Sequence, residues 1–180
     1  MMRLSSMHNL MCAAPVVLCC VLASACSPNR TVVRLYTMGE KADAGLIVYS
    51  VLESAWKTQL GEALSPRLPR DRFLLLRLGV TNGGPNEAAI PLTTLVSPEG
   101  KEYPELSDGA GVEDWLGVLR RLKSNETTFG WVLFDVPRGD YQLRVSDDAF
   151  DPADAKLALI QVPLRLEGKT DYLPQSAPKR

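Results

Sequence analysis

The chain has 180 residues and a net charge of −1, with 46% hydrophobic and 23% charged residues. This length supports one well-cored domain and is short for two, and the composition is typical of a soluble globular protein. Because the net charge is close to zero, the chain lacks the broad basic surface of nucleic-acid-binding proteins, and we expect no nucleic-acid partner.

The N-terminal residues predict an export signal. Residues 1–11 carry one basic side chain and no acid, and residues 12–22 are apolar throughout. An apolar run of this length fits the core of a signal peptide and is too short to span a membrane. Three small residues at 23–25 then precede Cys26. We therefore predict a signal peptide over residues 1–25.

All four cysteines lie in or next to this segment, at positions 12, 19, 20 and 26. Their spacing does not match the C-x-x-C pairs of zinc or redox sites. The sequence before Cys26 resembles the lipobox of bacterial lipoproteins, in which a signal peptidase cleaves before a cysteine that becomes diacylglyceryl-modified. The resemblance departs at one place, because Leu22 stands one position further from Cys26 than the usual leucine. Ordinary cleavage after Ala25 is the alternative.

Lipidation at Cys26 implies a membrane partner through acyl chains such as palmitate. Each buried CH₂ group contributes about 0.8 kcal/mol, so several chains make the attachment stable. Residues 26–30 would then be a lipidated tether. In a Gram-negative organism the resemblance to lipoproteins implies that Ser27, in place of an aspartate, favours the outer membrane of the cell envelope, facing the periplasm or the surface.

Removal of residues 1–25 would also remove His8, which is the single histidine of the chain. Arg3 would leave with it and no acid would, so the mature net charge would be −2. Histidine-based triads, histidine general bases and ordinary zinc sites would then be unavailable. We therefore expect no enzyme and no cofactor.

Beyond the tether, apolar residues alternate with polar ones at the period of β-strands. The predicted strands, in chain order, are Thr31–Thr37, Ala44–Trp56, Arg72–Thr81, Ala88–Val96, Lys101–Tyr103, Thr127–Val136, Tyr141–Ser146 and Lys156–Leu164. Pro91 makes the fourth an edge strand. Leu76 and Leu78 are predicted core residues, because the alternate positions on that face are all apolar.

Residues 111–123 interrupt this rhythm with a helical pattern. Val112, Trp115, Leu116, Leu119 and Leu122 recur every three or four residues, acids come first and basic residues last. This pattern predicts one short inserted helix that plugs an open end of the fold. The alternative is that Trp115 and Leu116 are partly exposed and contact a partner.

Seven to eight short strands separated by turn signals predict an all-β fold, an antiparallel β-sandwich over residues 31–166 with a flexible tail at 167–180. The segment Gly139–Leu143 resembles the tyrosine corner of immunoglobulin-like domains, with Leu143 at the position where antibody domains have cysteine.

A wider set of residues resembles a bacterial family of exported proteins, often lipoproteins, whose function is unknown. The matching residues are Met38–Glu40, Gly45–Tyr49, Trp56, Arg72–Leu74, Val80–Asn82, Gly100, Tyr103 and Gly130–Pro137. The resemblance implies an immunoglobulin-like sandwich, similar to that of a mycobacterial immunoprotective secreted antigen, and an envelope location. It implies no catalytic residue.

An acidic run contains Asp147, Asp148, Asp151 and Asp154. Clustered carboxylates are the usual ligands of calcium, but the spacing does not match an EF-hand loop, and a solvated turn is the preferred interpretation.

These observations leave two functional hypotheses. One is a non-enzymatic envelope lipoprotein that acts as a protein- or ligand-binding module, with an envelope protein as one candidate partner. The other is a structural or assembly lipoprotein of a larger envelope complex.

Overall fold

The computed structural model describes residues 33–149, 151 and 154–164, and in these residues the chain forms eleven strands and no helix. The strands are β1 (Arg34–Tyr36), β2 (Ala42–Ala44), β3 (Ile47–Lys57), β4 (Phe73–Asn82), β5 (Ala88–Ala89), β6 (Thr94–Val96), β7 (Glu102–Pro104), β8 (Arg121–Leu122), β9 (Thr127–Asp135), β10 (Tyr141–Ser146) and β11 (Leu157–Val162). No helix within these ranges is long and apolar enough to cross a membrane.

The strands form two larger sheets and one small ribbon. The five-stranded sheet has the order β1-β11-β10-β6-β7, and the four-stranded sheet has the order β2-β3-β4-β9. Strands β5 and β8 pair with each other as the ribbon. The named pairs are antiparallel except β1 with β11, which are parallel.

The two larger sheets bury their facing sides in one core, which makes the fold a β-sandwich. Tyr49, Leu76, Leu78 and Phe134 contribute from the four-stranded sheet, and Leu143 is among those that contribute from the five-stranded sheet. The prediction that Leu76 and Leu78 lie in the core is confirmed, since both side chains are fully buried. Apolar burial of this kind supplies the main driving force for folding.

The tyrosine corner is also present. The Tyr141 hydroxyl donates a hydrogen bond of 2.6 Å to the carbonyl oxygen of Pro137, four residues upstream, and Leu143 fills the core position. Burial, the largest of several influences, raises the pKa of the Tyr141 phenol to about 12. The immunoglobulin-like classification itself stays a prediction.

The predictions of seven to eight strands and of purely antiparallel pairing were wrong. The sequence predicts seven to eight strands, whereas eleven are present in the described residues. The predicted strand at 44–56 corresponds to β3, and the chain turns at Gly45 (φ 61°) after a further short strand, β2, that was not predicted. The predicted edge strand at 88–96 is also two, since Pro91 separates β5 from β6.

The prediction of an inserted helix at residues 111–123 was also wrong. Gly111, Asp114 and Gly117 have positive φ angles of 82°, 52° and 73°, and left-handed residues at this spacing interrupt an α-helix. Residues 114–116 instead lie along the outer edge of β9, and Arg121–Leu122 form β8, which pairs with β5. Trp131 N donates to Asp114 O at 2.9 Å, and Leu116 N donates to Trp131 O at 3.0 Å.

Candidate functional site

The outer face of the four-stranded sheet has a covered half and an open half. Loops 58–72 and 106–116 cover the half where β4 begins, and they bury a second apolar cluster there. The cluster and the side chains packed against it are Leu60, Phe73, Leu75, Leu133, Ala55, Leu106, Val112 and Trp131. Within the described residues, the half where β4 ends has no comparable cover.

Large apolar side chains nevertheless lie on the open half. Phe129 of β9 is 58% exposed, and Leu52 of β3 is 48% exposed. Both flank Gly79, where an added Cβ would lie 2.9 Å from a ring carbon of Phe129 and 3.8 Å from Leu52. Val48, on the same face of β3, is half-buried. We call Val48, Leu52, Gly79 and Phe129 the shelf.

Gly79 positions the shelf. It pairs with Ser50 on one side and with Phe129 on the other, so the three residues form one line across the sheet. Because Gly79 has no side chain, the Phe129 ring packs down onto the sheet and does not project from it. The result is a low apolar surface with an aromatic ring at its centre.

Hydroxyl groups border the shelf. The Thr81 and Thr127 hydroxyls are hydrogen-bonded to each other at 2.8 Å, and Ser50 adds a third. The groove above these residues has a volume of about 510 Å³, within the size range of ligand sites. Lys41 and Asp43 are the charged residues among the described ones that line it, and their charges cancel. This arrangement is suited to binding through apolar contact and neutral hydrogen bonds.

Sequence reasoning missed the shelf. The available signal was the outward face of β9, where the apolar Phe129 and Trp131 follow Thr127 at alternate positions. Trp131 is covered by the second apolar cluster and Phe129 is not. Nothing in the local sequence distinguishes the two.

Trp115 and Leu116, the predicted partner contacts, are both half-buried. Leu116 packs against the main core over Gly130, where an added Cβ would lie 2.8 Å from its side chain. Trp115 packs onto Gly109, and Leu119 of the same predicted stripe is 95% exposed. Trp115 and Leu116 therefore both pack within the domain, and their contact with a partner stays a prediction.

The acidic run lies next to the turn that begins β3. Asp147 accepts a hydrogen bond from the Lys156 backbone at 2.9 Å, and Asp148 accepts one from the Ala89 backbone at 3.1 Å. The backbone N–H of Asp154 donates to the carbonyl oxygen of Asp151 at 2.9 Å. No group of three or more potential metal ligands occurs in the part of the chain that the structure describes. The calcium alternative at these residues stays a prediction.

Cys26, the predicted lipidation site, lies outside the described residues, as do the predicted tail at 167–180 and the predicted signal peptide at 1–25. The lipid anchor is taken up below as a proposal.

A buried ion pair joins the segment that follows β7 to the segment that precedes β8, and the sequence gives no sign of it. Arg120 and Glu105 contact each other with side chains only 3% and 0% exposed. Glu105 also accepts hydrogen bonds from the Thr93 backbone at 3.0 Å and from the Thr93 hydroxyl at 2.9 Å. Arg120 Nε donates to Gly117 O at 2.5 Å. The pair fixes the segment after Gly117 to the strands around Thr93.

Comparison with known families identifies the domain. The profile named "Domain of unknown function (DUF4352)" matches residues 36–155, which is more than half of the chain. The chain belongs to the DUF4352 family. The matched region begins at the end of β1 and contains the shelf, the buried ion pair and the tyrosine corner. A search of the curated proteins found no match.

Solved structures show the same fold at low sequence identity. The yjhA protein of Bacillus subtilis superposes with a TM-score of 0.53 at 12% identity, over 69% of this chain and 98% of that protein. The ycdA protein of the same organism, a candidate lipoprotein, has a TM-score of 0.56 at 12% identity, over 71% of this chain and 40% of its own. These matches support the β-sandwich fold of the DUF4352 domain and nothing beyond the fold.

The secreted protein MPT63 of Mycobacterium tuberculosis has a TM-score of 0.48 at 12% identity, over 72% of this chain and 98% of its own. A score at this level carries no conclusion about the DUF4352 domain.

Proposed function

We propose that the protein is a non-enzymatic binding module of the bacterial cell envelope and that the shelf is its binding surface. The observation that carries the proposal is the exposure of Phe129 and Leu52 on a sheet face whose other half is covered by loops. Apolar surface exposed in a concave groove is typical of sites that bind a partner.

The envelope location is supported by the chain's own N-terminal sequence. The apolar run at 12–22 and the small residues before Cys26 favour export and lipidation at that cysteine. The structural relative ycdA is itself a candidate lipoprotein. We propose that acyl chains on Cys26 hold the module at the outer membrane.

The anchor is tested by comparing the parent with Cys26→Ala. Mass spectrometry of the mature parent should find Cys26 at the N-terminus and modified by acyl chains. The variant should be released from the membrane fraction or accumulate unprocessed. An unmodified N-terminus at another residue would exclude the lipid anchor and leave the binding proposal standing.

The binding role is tested by affinity purification from detergent-solubilised envelopes with the parent, Phe129→Ser and Leu64→Ser. Leu64 is the matched control, because its side chain is 99% exposed on loop 58–72 and lies away from the shelf. Both variants should melt like the parent, and Phe129→Ser alone should lose a bound partner. Retention of every partner by Phe129→Ser would contradict the proposal. A stoichiometric partner that neither variant loses would favour the assembly hypothesis.

A further inference from the structure

We propose that the occupant of the shelf is an extended peptide, which adds as a strand outside β9 and places an apolar side chain against Phe129. This inference rests on the proposed function and specifies the chemistry of the partner. It follows from the backbone of β9, which is an edge strand of its sheet.

The outward backbone groups of β9 are occupied over only part of its length. Trp131 uses both its N–H and its C=O on the outer side, toward Asp114 and Leu116. Because backbone groups alternate in direction along a strand, Phe129 and Thr127 present theirs to the same side. In the part of the chain that the structure describes, these outward groups of Phe129 and Thr127 have no hydrogen-bond partner.

The molecule already adds a strand to this edge. Residues 114–116 run alongside β9, and Trp115 forms a parallel bridge with Trp131. Because this bridge is parallel, the segment runs in the same direction as β9, and the open stretch at 127–129 lies on the N-terminal side of Asp114 (φ 52°). An incoming peptide would lie on the line of residues 114–116, before Asp114, along the open stretch at 127–129.

The chemistry of the site favours a peptide over a charged ligand or a lipid surface. An open row of N–H and C=O groups is complemented by another backbone, and exposed edges of this kind recruit strands in peptide-binding domains. Phe129 and Thr127 carry both the outward backbone groups and side chains that border the groove. The groove has no net charge, since Lys41 and Asp43 balance each other. Main-chain hydrogen bonds to Thr127 and Phe129 and an apolar contact with the Phe129 ring would therefore hold the same peptide.

The test removes one backbone donor while the shelf stays intact. In Thr127→Pro, the missing N–H is the one that points away from β4, and the first residue of an edge strand tolerates proline. Thr127→Val is the matched control, because both variants lose the hydrogen bond to Thr81 and only the proline loses the donor. Circular dichroism and melting temperature should show that both variants fold.

The probe is a library of displayed ten-residue peptides, selected on the purified parent protein. Enriched peptides, labelled with fluorescein, are then measured by anisotropy. We expect peptides with apolar residues at alternate positions, bound at least tenfold more weakly by Thr127→Pro than by Thr127→Val, since the two variants differ in the backbone donor. Phe129→Ser should also weaken binding at least tenfold.

Equal affinity of Thr127→Val and Thr127→Pro, or no enrichment of peptides, would overturn the peptide assignment. A concentration-dependent dimer of the parent that Thr127→Pro dissociates, seen by analytical ultracentrifugation, would overturn it in favour of a second copy of the chain. Neither result would remove the binding role of the shelf, which depends on the Phe129→Ser result in the envelope purification.

Discussion

Removing one partner of the buried ion pair tests how much an unpaired buried charge costs this fold. The Arg120 side chain is only 3% exposed, and in Glu105→Leu its guanidinium would lose its charge partner. The backbone and hydroxyl donors of Thr93 would lose their acceptor as well. Breaking a buried pair by removing one partner costs about 3–5 kcal/mol. Since domains of this size are stable by about 5–15 kcal/mol, the loss is a large fraction of the total.

The assay is urea unfolding followed by the fluorescence of the chain's three tryptophans. With a urea dependence of about 2 kcal/mol per molar, a loss of 4 kcal/mol would move the midpoint by about 2 M. The double variant Glu105→Leu/Arg120→Leu should recover most of this loss, because replacing both ions by apolar groups removes the unpaired charge.

The control is Glu102→Leu, which breaks an exposed ion pair. Glu102 contacts Arg144 at 2.6 Å, but the two side chains are 53% and 33% exposed. Exposed pairs contribute about 0–1 kcal/mol, so this variant should stay close to the parent. If Glu105→Leu cost no more than Glu102→Leu, the burial of the first pair would have no energetic consequence and the reasoning would be refuted.

Three further predictions concern the core, a close contact and alkaline pH. Leu76→Ala or Leu78→Ala should lower the unfolding free energy by about 2–5 kcal/mol, and thermal melts equal to the parent would show the register to be wrong. Gly130→Ala should cost about 1–3 kcal/mol because its Cβ would lie 2.5 Å from a backbone oxygen of the neighbouring segment. Gly139→Ala is its control, because a Cβ added there would have no atom nearer than 3.9 Å, and this variant should melt like the parent. Burial raises the pKa of Tyr141 from 10.0 to about 12, so the folded state favours the neutral phenol. The contribution of Tyr141 to stability should therefore be constant below pH 10 and be lost as the pH rises from 10 through 12, and Tyr141→Phe should weaken this loss.

Strand β4 shows why the sequence predicts the fold class well. Its alternate residues from Leu74 to Val80 face the main core, as the period-two pattern predicts. Phe73 and Leu75 on the other face are also apolar, because the second cluster buries them. The sequence RFLLLRL therefore signals a strand strongly, but it does not say what covers its second face.

Residues 111–123 show where sequence reasoning fails. Leu116 and Leu122 both reach the main core, whereas Trp115 packs onto Gly109 and Leu119 is 95% exposed. These residues follow helical spacing, and the pattern cannot reveal that their surroundings differ. The exposure of Phe129 cannot be predicted from the local sequence either, because it depends on how far the loops at 58–72 and 106–116 extend over the sheet.

The parallel pairing of β1 with β11 has a mechanical consequence. Because the two strands run in the same direction, the chain enters the sandwich at one end along β1 and leaves it at the opposite end along β11. Tension between the two chain ends would act along these strands. It would load the residue pairs Arg34–Ala158, Leu35–Leu159 and Tyr36–Ile160 together in shear, whereas an antiparallel pair pulled from one end would separate bond by bond. The first strand, although only three residues long, is thus placed to bear force that is applied between the N-terminal side of the chain and the rest of the domain.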